Sequence, residues 1–470
     1  MKRIAIIGGG ISGLSASFRM EQRRNQGEPL EYVLFESGPR FGGVIQTEEV
    51  DDCVVEAGPD SFLTEKVWAA DLCRELGLGD QLIGSNDSER KTYILVKGRL
   101  VPLPDGLMFM VPTKLLSAFS SPLFSWTTKL RMLREWFFRP LEATADLSVA
   151  EFVERHYGRE MVDRVADPLL AGVYGGSADN LSVQSVLPRF LDMQARYGSL
   201  GKAMVSVRTN QPDSRRPLFT SLRGGMQQMI DALLVRIPDS ARRANSPIAK
   251  ISPESGKWLV VSGGRTEEFD GAIVAVPAFT AGKMLQEVAA DLGSSLSGIR
   301  YSSSVTAVLG YDNHVRSELP PGFGFLVPRT ESRRIIAATF VHNKFPFRAP
   351  GDRALIRCFL GGTRDQEAPQ LSDDALLDLV KSELSGILGI TSEPQFARIY
   401  RWHQAMAQYE VGHRDRVENI RTLLSGMPGL ALAGNYLAGI GVPDCVRAGA
   451  EGAAKVLADM KILATDQTGL

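Results

Sequence analysis

The stretch Ile6-Ile7-Gly8-Gly9-Gly10-Ile11-Ser12-Gly13 holds the first residues whose types and spacing imply chemistry. Gly8, Gly10 and Gly13 stand at the spacing G-x-G-x-x-G. The first glycine of such a loop allows a tight turn, the second lets a pyrophosphate approach the backbone, and the third lets a helix pack closely on a strand. A helix that starts here adds amide donors and the positive end of its dipole. Glu36 closes the next apolar run, Tyr32-Val33-Leu34-Phe35, where an acid accepts hydrogen bonds from ribose hydroxyls. A glycine-rich structural turn shares the spacing. The strand before it, the helix after it and Glu36 point instead to a dinucleotide site.

These residues need a frame. Residues 2–7 read as a buried parallel strand, 11–23 as the following helix and 31–37 as a second strand, the first βαβ unit of a doubly wound domain. A helix over 65–76 stops at Gly77, and Lys97-Gly98 reads as the turn of a hairpin. Helical patterning runs from 148 to 164, and 208–217 reads as a polar loop. A Gly-Gly turn leads into an amphipathic helix over 221–237, followed by strands at 256–264 and 267–277. Residues 300–365 are strand-rich, 372–388 helical and 396–402 a strand. The last fifty residues repeat the opening theme: a strand at 430–434, a glycine-rich turn and a helix. A nucleotide domain assembled from separated pieces of chain follows from this order.

Composition narrows the class. The 470 residues are 44% hydrophobic and 23% charged, with a formal net charge of -1. Such a balance argues against a nucleic-acid binder, which carries a basic excess. Cys53, Cys73, Cys358 and Cys445 form no C-x-x-C pair, as expected of reduced thiols in a cytosol. The strand pattern begins at the second residue and leaves no room for a signal peptide. The longest apolar stretch, 115–128, is broken by Pro122 and falls short of the ~18 residues of a membrane span. The five histidines (His156, His314, His342, His403, His413) lack metal-ligand spacing, and G-x-S-x-G is absent.

Beyond Glu36, the run Ser37-Gly38-Pro39-Arg40-Phe41-Gly42-Gly43 resembles the second glycine motif of the flavin amine oxidase superfamily. Glycines there let a second backbone loop approach the cofactor. Arg40 either neutralises charge at that loop or is a solvated surface residue. Ala57-Gly58-Pro59-Asp60-Ser61 matches the segment that runs past the flavin ring in that superfamily. The closing run LAGNYLAGIGVPDCVRAGAEGA (432–453) resembles that of the protoporphyrinogen/coproporphyrinogen oxidases of haem biosynthesis. So do LLAGVYGGSADNLSV (169–183), GFGFLVP (322–328), FLGGTRD (359–365) and RWHQAMAQYEVGH (401–413), all in the family's order.

The resemblance implies α/β and α+β architecture: a Rossmann-like FAD-binding domain of the flavin amine oxidase fold, a mixed-sheet substrate domain and a helical lip. Its pieces are 1–88, 219–299 and 425–470 for FAD, 89–109 and 300–424 for substrate, and 110–207 for the lip. It implies non-covalent FAD, held by Gly8, Gly9, Gly10, Ile11, Ser12, Gly13, Glu36, Ser37, Arg40, Gly42, Gly43, Val44, Gly58, Pro59, Asp60, Ser61, Ile248, Asn435, Ile440, Gly441 and Val442. Leu326 and Phe359 match the residues that sandwich the macrocycle, and Gly172 falls in a segment facing its other side. Without the family, Leu326 and Phe359 read equally as core. A porphyrinogen is a large apolar ring rimmed with propionates, which calls for flat apolar walls and a few cations. The implied chemistry is hydride transfer from a bridging carbon to flavin N5, with O2 reduced to H2O2, three times over. No side chain is nominated as acid or base.

Two positions bear on the substrate. Thr92 stands where protoporphyrinogen oxidases carry an anchoring Arg, and Lys66 matches a basic residue of the Gram-positive coproporphyrinogen III oxidases. Both favour the tetracarboxylate coproporphyrinogen III over protoporphyrinogen IX, although Lys66 reads equally as a solvated helix residue. The segment 107–138, rich in Phe, Met, Leu and Trp, is either the substrate-entry lip, membrane-docking in some members, or the core of a helical subdomain. The expected location is the cytoplasm, with peripheral contact on the inner face of the membrane, and the family implies hand-over of product to a ferrochelatase. The competing readings are a flavin amine oxidase or carotenoid desaturase and, outside catalysis, a porphyrin carrier that keeps FAD structurally.

Overall fold

The computed structural model describes residues 1–142, 145–210 and 216–460. Residues 211–215 of the polar loop read at 208–217 therefore lie outside the described residues, as does the end of the last segment, 461–470, while 208–210 close helix Leu200–Asn210 instead of starting a loop.

Strand Lys2–Ile7 is buried from Ile4 onward, which suits the middle of a parallel sheet covered on both faces. Five parallel strands lie in the order Arg242–Arg243, Leu30–Phe35, Lys2–Ile7, Gly271–Val274, Leu430–Leu432. Their register aligns Ile6 with Leu34 on one side and Ile273 on the other. Helix Ile11–Asn25 follows the first strand, and the closing helix Val442–Asp459 packs beside it. Small residues permit that crossing. A side chain at Gly449 would run into the carbonyl of Ser12, and Gly452 lies over Ile273, Ala431 and Ala433 of the sheet.

The strand read at 267–277 is in fact two. Arg265–Phe269 completes an antiparallel meander with Ile248–Glu254 and Lys257–Ser262, and the chain then turns at Asp270 to give Gly271–Val274 to the parallel sheet. Asp270 is held at this corner by Lys2 Nζ (3.2 Å) and the amide of Arg3 (2.8 Å). The helix read at 65–76 is shorter, Trp68–Glu75, while the hairpin turn at Lys97-Gly98 has positive φ at both residues, as a tight two-residue turn needs.

A second, seven-stranded mixed sheet runs Phe396–Ala407, Tyr301–Tyr311, Ala354–Gly361, Ile335–Phe340, Gly324–Leu326, Thr92–Val96, Arg99–Pro102. Side chains alternate between its faces. One face (Ile356, Cys358, Leu360, Ala338, Phe340) packs on Leu376, Val380 and Leu384 of helix Asp373–Leu388. The other carries Leu326, Phe359 and Arg357 and looks toward the parallel-sheet half.

The apolar segment 107–138 divides between core and surface. Met110, Val111, Leu123, Phe124 and Met132 are buried core, whereas Leu116, Trp126 and Phe137 are 89%, 70% and 76% exposed. Among the described residues no helix is long and apolar enough to cross a membrane.

Candidate functional site

The first glycine loop is a set of close approaches. Gly8 adopts φ +110°, and a side chain on it would lie 2.5 Å from the carbonyl oxygen of Ala275; one on Gly13 would occupy the carbonyl oxygen of Gly8. Gly10 differs: a Cβ there meets no atom within 4 Å. Among the three motif glycines it alone borders open space, as a backbone that receives a ligand must. Glu36 binds the loop from the next strand. Its Oε2 accepts from the Gly9 amide (2.7 Å), and its Oε1 accepts from the Gly38 amide (2.7 Å) and Ser37 Oγ (3.1 Å). Oε2, with one donor, keeps acceptor capacity for a ribose hydroxyl.

The second glycine motif folds onto the first. The Gly42 amide donates to the Gly9 carbonyl (2.8 Å), and a Cβ on Gly43 would sit 3.2 Å from Cα of Gly10. Arg40 is exposed, and its guanidinium donates to the carbonyls of Phe41, Gly43 and Ile45, so it holds the turn closed. Gly58 in turn lies against the carbonyl of Val44 with no room for a side chain. The closing segment arrives from the other end of the chain. Tyr409 donates its hydroxyl to the Asn435 carbonyl (2.7 Å) and accepts from the Gly439 amide (2.8 Å), bridging the ends of the turn that leads to Ile440, Gly441 and Val442. Asn435 itself accepts from the Tyr301 hydroxyl (3.2 Å) and donates to the Ala405 carbonyl (2.9 Å).

The thiol of Cys445, in the first turn of the closing helix, hydrogen-bonds with Ser12. Two helix N-termini, at Ile11 and Val442, thus converge on one place and add their dipoles there. Burial pushes the Cys445 thiol up to about 12, so it is protonated at neutral pH. An open glycine cradle, a carboxylate with spare acceptor capacity and paired helix N-termini fit a dinucleotide. Among the described residues no cluster of His, Cys, Asp or Glu could hold a metal ion.

Next to this cradle lies a cluster of charges that the sequence reading missed apart from Asp60. Lys344 Nζ lies 3.0 Å from Asp60, Arg348 2.8 Å from Glu56, and Arg357 3.8 Å from Asp60, and Arg357 also donates to the Gly58 carbonyl. Burial alone would raise the Asp60 carboxyl, but Lys344, Arg357, Arg348 and the Ser61 hydroxyl outweigh it and hold it well below the usual carboxylate range. The available signal was an arginine in the middle of the buried strand Ala-Leu-Ile-Arg-Cys-Phe-Leu-Gly.

The expected substrate residues lie on the sheet face next to that cluster. Leu326 pairs with Ala337, and Ala337 with Phe359, so the three project from one face in a single row. Two strand steps put Leu326 and Phe359 about 10 Å apart with only a methyl between them, enough for a flat ring standing edge-on. Gly172 lies beside this row: a Cβ on it would be 3.8 Å from Leu326 Cδ2, so helix Asp167–Tyr174 borders Leu326. Lys66 does not offer a free ammonium. Its Nζ is 2.6 Å from Asp444, at the start of the closing helix.

Two buried histidines set an acid limit on the fold. Burial lowers His342 and His413 to about 4, and His413 stacks on Tyr409 with ring centroids 4.1 Å apart. An unfolded histidine titrates near ~6.5, so between that pH and about 4 the unfolded chain binds protons that the folded one refuses. Stability therefore falls on acidification through this window, by about 1.4 kcal/mol per pH unit for each histidine. Denaturant unfolding at a series of pH values should show this slope, and His413→Gln should reduce it by about half, leaving the share of His342.

Comparison with known proteins agrees with this geometry. The family described as flavin containing amine oxidoreductase matches residues 11–457. The chain is 33% identical to a coproporphyrinogen III oxidase of Bacillus subtilis over 95% of its own length and 96% of the relative's. It is 26% identical to protoporphyrinogen oxidase 2, chloroplastic/mitochondrial, of Arabidopsis thaliana, covering 99% and 96%. A crystal structure of an Exiguobacterium protein assigned as a protoporphyrinogen oxidase superposes with a TM-score of 0.87 at 29% identity, covering 97% and 98%. Putrescine oxidase, at 17% identity, shares the fold, with a TM-score of 0.70 over 97% and 99%.

Proposed function

The chain belongs to the flavin-containing amine oxidoreductases, in the branch of the porphyrinogen oxidases, and from that membership we propose that it oxidises coproporphyrinogen III to coproporphyrin III with a non-covalent FAD. The observation that carries this reading is the Leu326–Ala337–Phe359 row, an apolar wall on the same sheet face as an arginine bonded to the Gly58 segment. FAD, when bound, supplies the two-electron oxidation of each round, with O2 as the terminal acceptor. The chain's own residues hold and shield. Gly10 and the two helix N-termini receive the pyrophosphate, Glu36 receives ribose, and Gly42, Gly43, Val44 and Gly58 to Ser61 line the flavin side. Leu326 and Phe359 stack on the macrocycle and exclude water. No side chain is assigned to proton transfer.

Anaerobically prepared coproporphyrinogen III and protoporphyrinogen IX, mixed with the protein and O2, test the reading. Fluorescent porphyrin should form faster than without protein, and coproporphyrinogen should lead. Rates equal to the uncatalysed ones would refute it. A lead for protoporphyrinogen IX would favour the alternative substrate. Because Lys66 is paired with Asp444, Lys66→Ala should slow both substrates by the same factor; a selective loss on coproporphyrinogen would put Lys66 at a propionate.

We also infer that the lip rests on a membrane surface from the cytoplasmic side. Leu116, Trp126, Leu130 and Phe137 are exposed beside the exposed cations Lys114, Arg131 and Arg134, a pairing that suits an anionic interface. The protein should sediment with anionic vesicles at low salt, and Leu116→Glu combined with Phe137→Glu should leave it in the supernatant with an unchanged melting temperature.

A further inference from the structure

We propose, resting on the porphyrinogen-oxidase reading, that Arg357 is a positioning residue that couples the cofactor segment at Gly58 to the substrate wall at Phe359. Arg357 sits in the middle of strand Ala354–Gly361, two residues before Phe359, and so projects from the same face. It is 5% exposed. Its guanidinium lies 4.8 Å from the centroid of the Phe359 ring, donates Nη2 to the Gly58 carbonyl, and stands 3.8 Å from Asp60. One rigid planar group therefore touches both partners of the reaction surface.

Arg357 is not the nearest counter-charge of Asp60. Lys344 Nζ already contacts both Asp60 oxygens, at 3.0 and 3.2 Å, and Ser61 donates to the carboxylate at 2.7 Å. The cluster holds three cations (Lys344, Arg348, Arg357) against two carboxylates (Glu56, Asp60), which leaves one positive charge in excess. The Nε–H of Arg357 is buried without a partner. A buried cation beyond what local charge balance requires adds little to stability by itself. Its reach explains its place: a guanidinium can bond a carbonyl while covering a ring with its face.

The test uses the holoenzyme and three variants: Arg357→Met, Phe359→Leu and the double variant. Arg357→Met should weaken FAD binding about tenfold or more, as loss of a charge-assisted hydrogen bond implies. It should also change the visible circular dichroism of the bound flavin and lower kcat more than it raises KM. Phe359→Leu alone should mainly raise KM. In the double variant the Phe359→Leu effect should shrink severalfold, because the ring has already lost its clamp. Unchanged flavin affinity and dichroism, or strictly multiplicative effects, would overturn the proposal. Should the Met variant not fold, Arg357→Lys completes the same cycle: it keeps the charge but loses the reach to Gly58, and wild-type behaviour would be equally fatal. Failure of the wild type to accelerate porphyrin formation would refute the parent reading instead. Flavin affinity and dichroism would still decide the Gly58 link.

Discussion

Gly10→Ala is expected to fold as the wild type does and to lose its flavin, whereas Gly13→Ala is expected to fail at the fold itself. The two glycines are three residues apart in one loop, yet their surroundings are opposite. A methyl at Gly13 falls on the carbonyl oxygen of Gly8, a backbone atom of the strand-to-helix turn that cannot swing aside. Relief requires helix Ile11–Asn25, buried throughout residues 11–18, to lift from its neighbours. Overpacking of this kind costs about 1–3 kcal/mol where side chains can adjust, and more where backbone must move. A methyl at Gly10 meets nothing within 4 Å, and its φ of −72° suits any residue, so apoprotein stability should be untouched. The space it fills is where a pyrophosphate would approach. Thermal unfolding of both apoproteins, read with the flavin absorbance retained after gel filtration, separates the cases. A Gly10→Ala protein that keeps full flavin would show that the cradle lies elsewhere.

The contrast marks what the sequence makes legible. Gly8, Gly10, Gly13 and Glu36 are tied together by one βαβ unit, so spacing alone locates them. The closing helix is equally local, and its start at Val442 with Pro443 in the first turn follows from residue types. Contacts across long separations are a different matter. Lys66 meets Asp444 from 378 residues away, and Arg357 meets Gly58 from 299. Nothing in either neighbourhood announces the other, so Lys66 reads as a free cation until its partner is seen. Register is hidden too: Leu326, Ala337 and Phe359 align only because three antiparallel strands stop sliding at one offset. The composition of 107–138 shows that apolar residues are plentiful; whether Leu116 or Met132 is inside depends on what packs above them. The split at Asp270 escaped because both strands are extended with a single residue between them, and only their partners differ.

Glu56→Ala should be the most destabilising side-chain truncation near the site, and its first consequence should be loss of cofactor. Glu56 and Arg348 form an ion pair at 2.8 Å with 2% and 0% of their side chains exposed. Glu56 also accepts from the Met226 amide and the Thr47 hydroxyl, both at 2.7 Å, while Arg348 donates to Ser221 Oγ at 2.6 Å. The pair therefore joins the strand that ends at Glu56, the turn before helix Gln227–Arg236 and the loop after strand Ile335–Phe340. Removing the carboxylate leaves a guanidinium buried without its counter-charge, a change that costs about 3–5 kcal/mol. Replacing both partners by apolar groups of similar size removes that penalty, since a buried pair contributes little net stability against well-packed apolar residues. Glu56→Leu with Arg348→Met should accordingly be more stable than Glu56→Ala alone. Segment 56–61 is pinned at one end by this pair and at the other by Lys344 on Asp60. Loosening one end should free Gly58 from the carbonyl of Val44 before the sheets separate. On heating Glu56→Ala, flavin fluorescence should rise several degrees below the loss of far-ultraviolet circular dichroism; coincident transitions would mean that the pair stabilises the whole molecule and not the cofactor segment first.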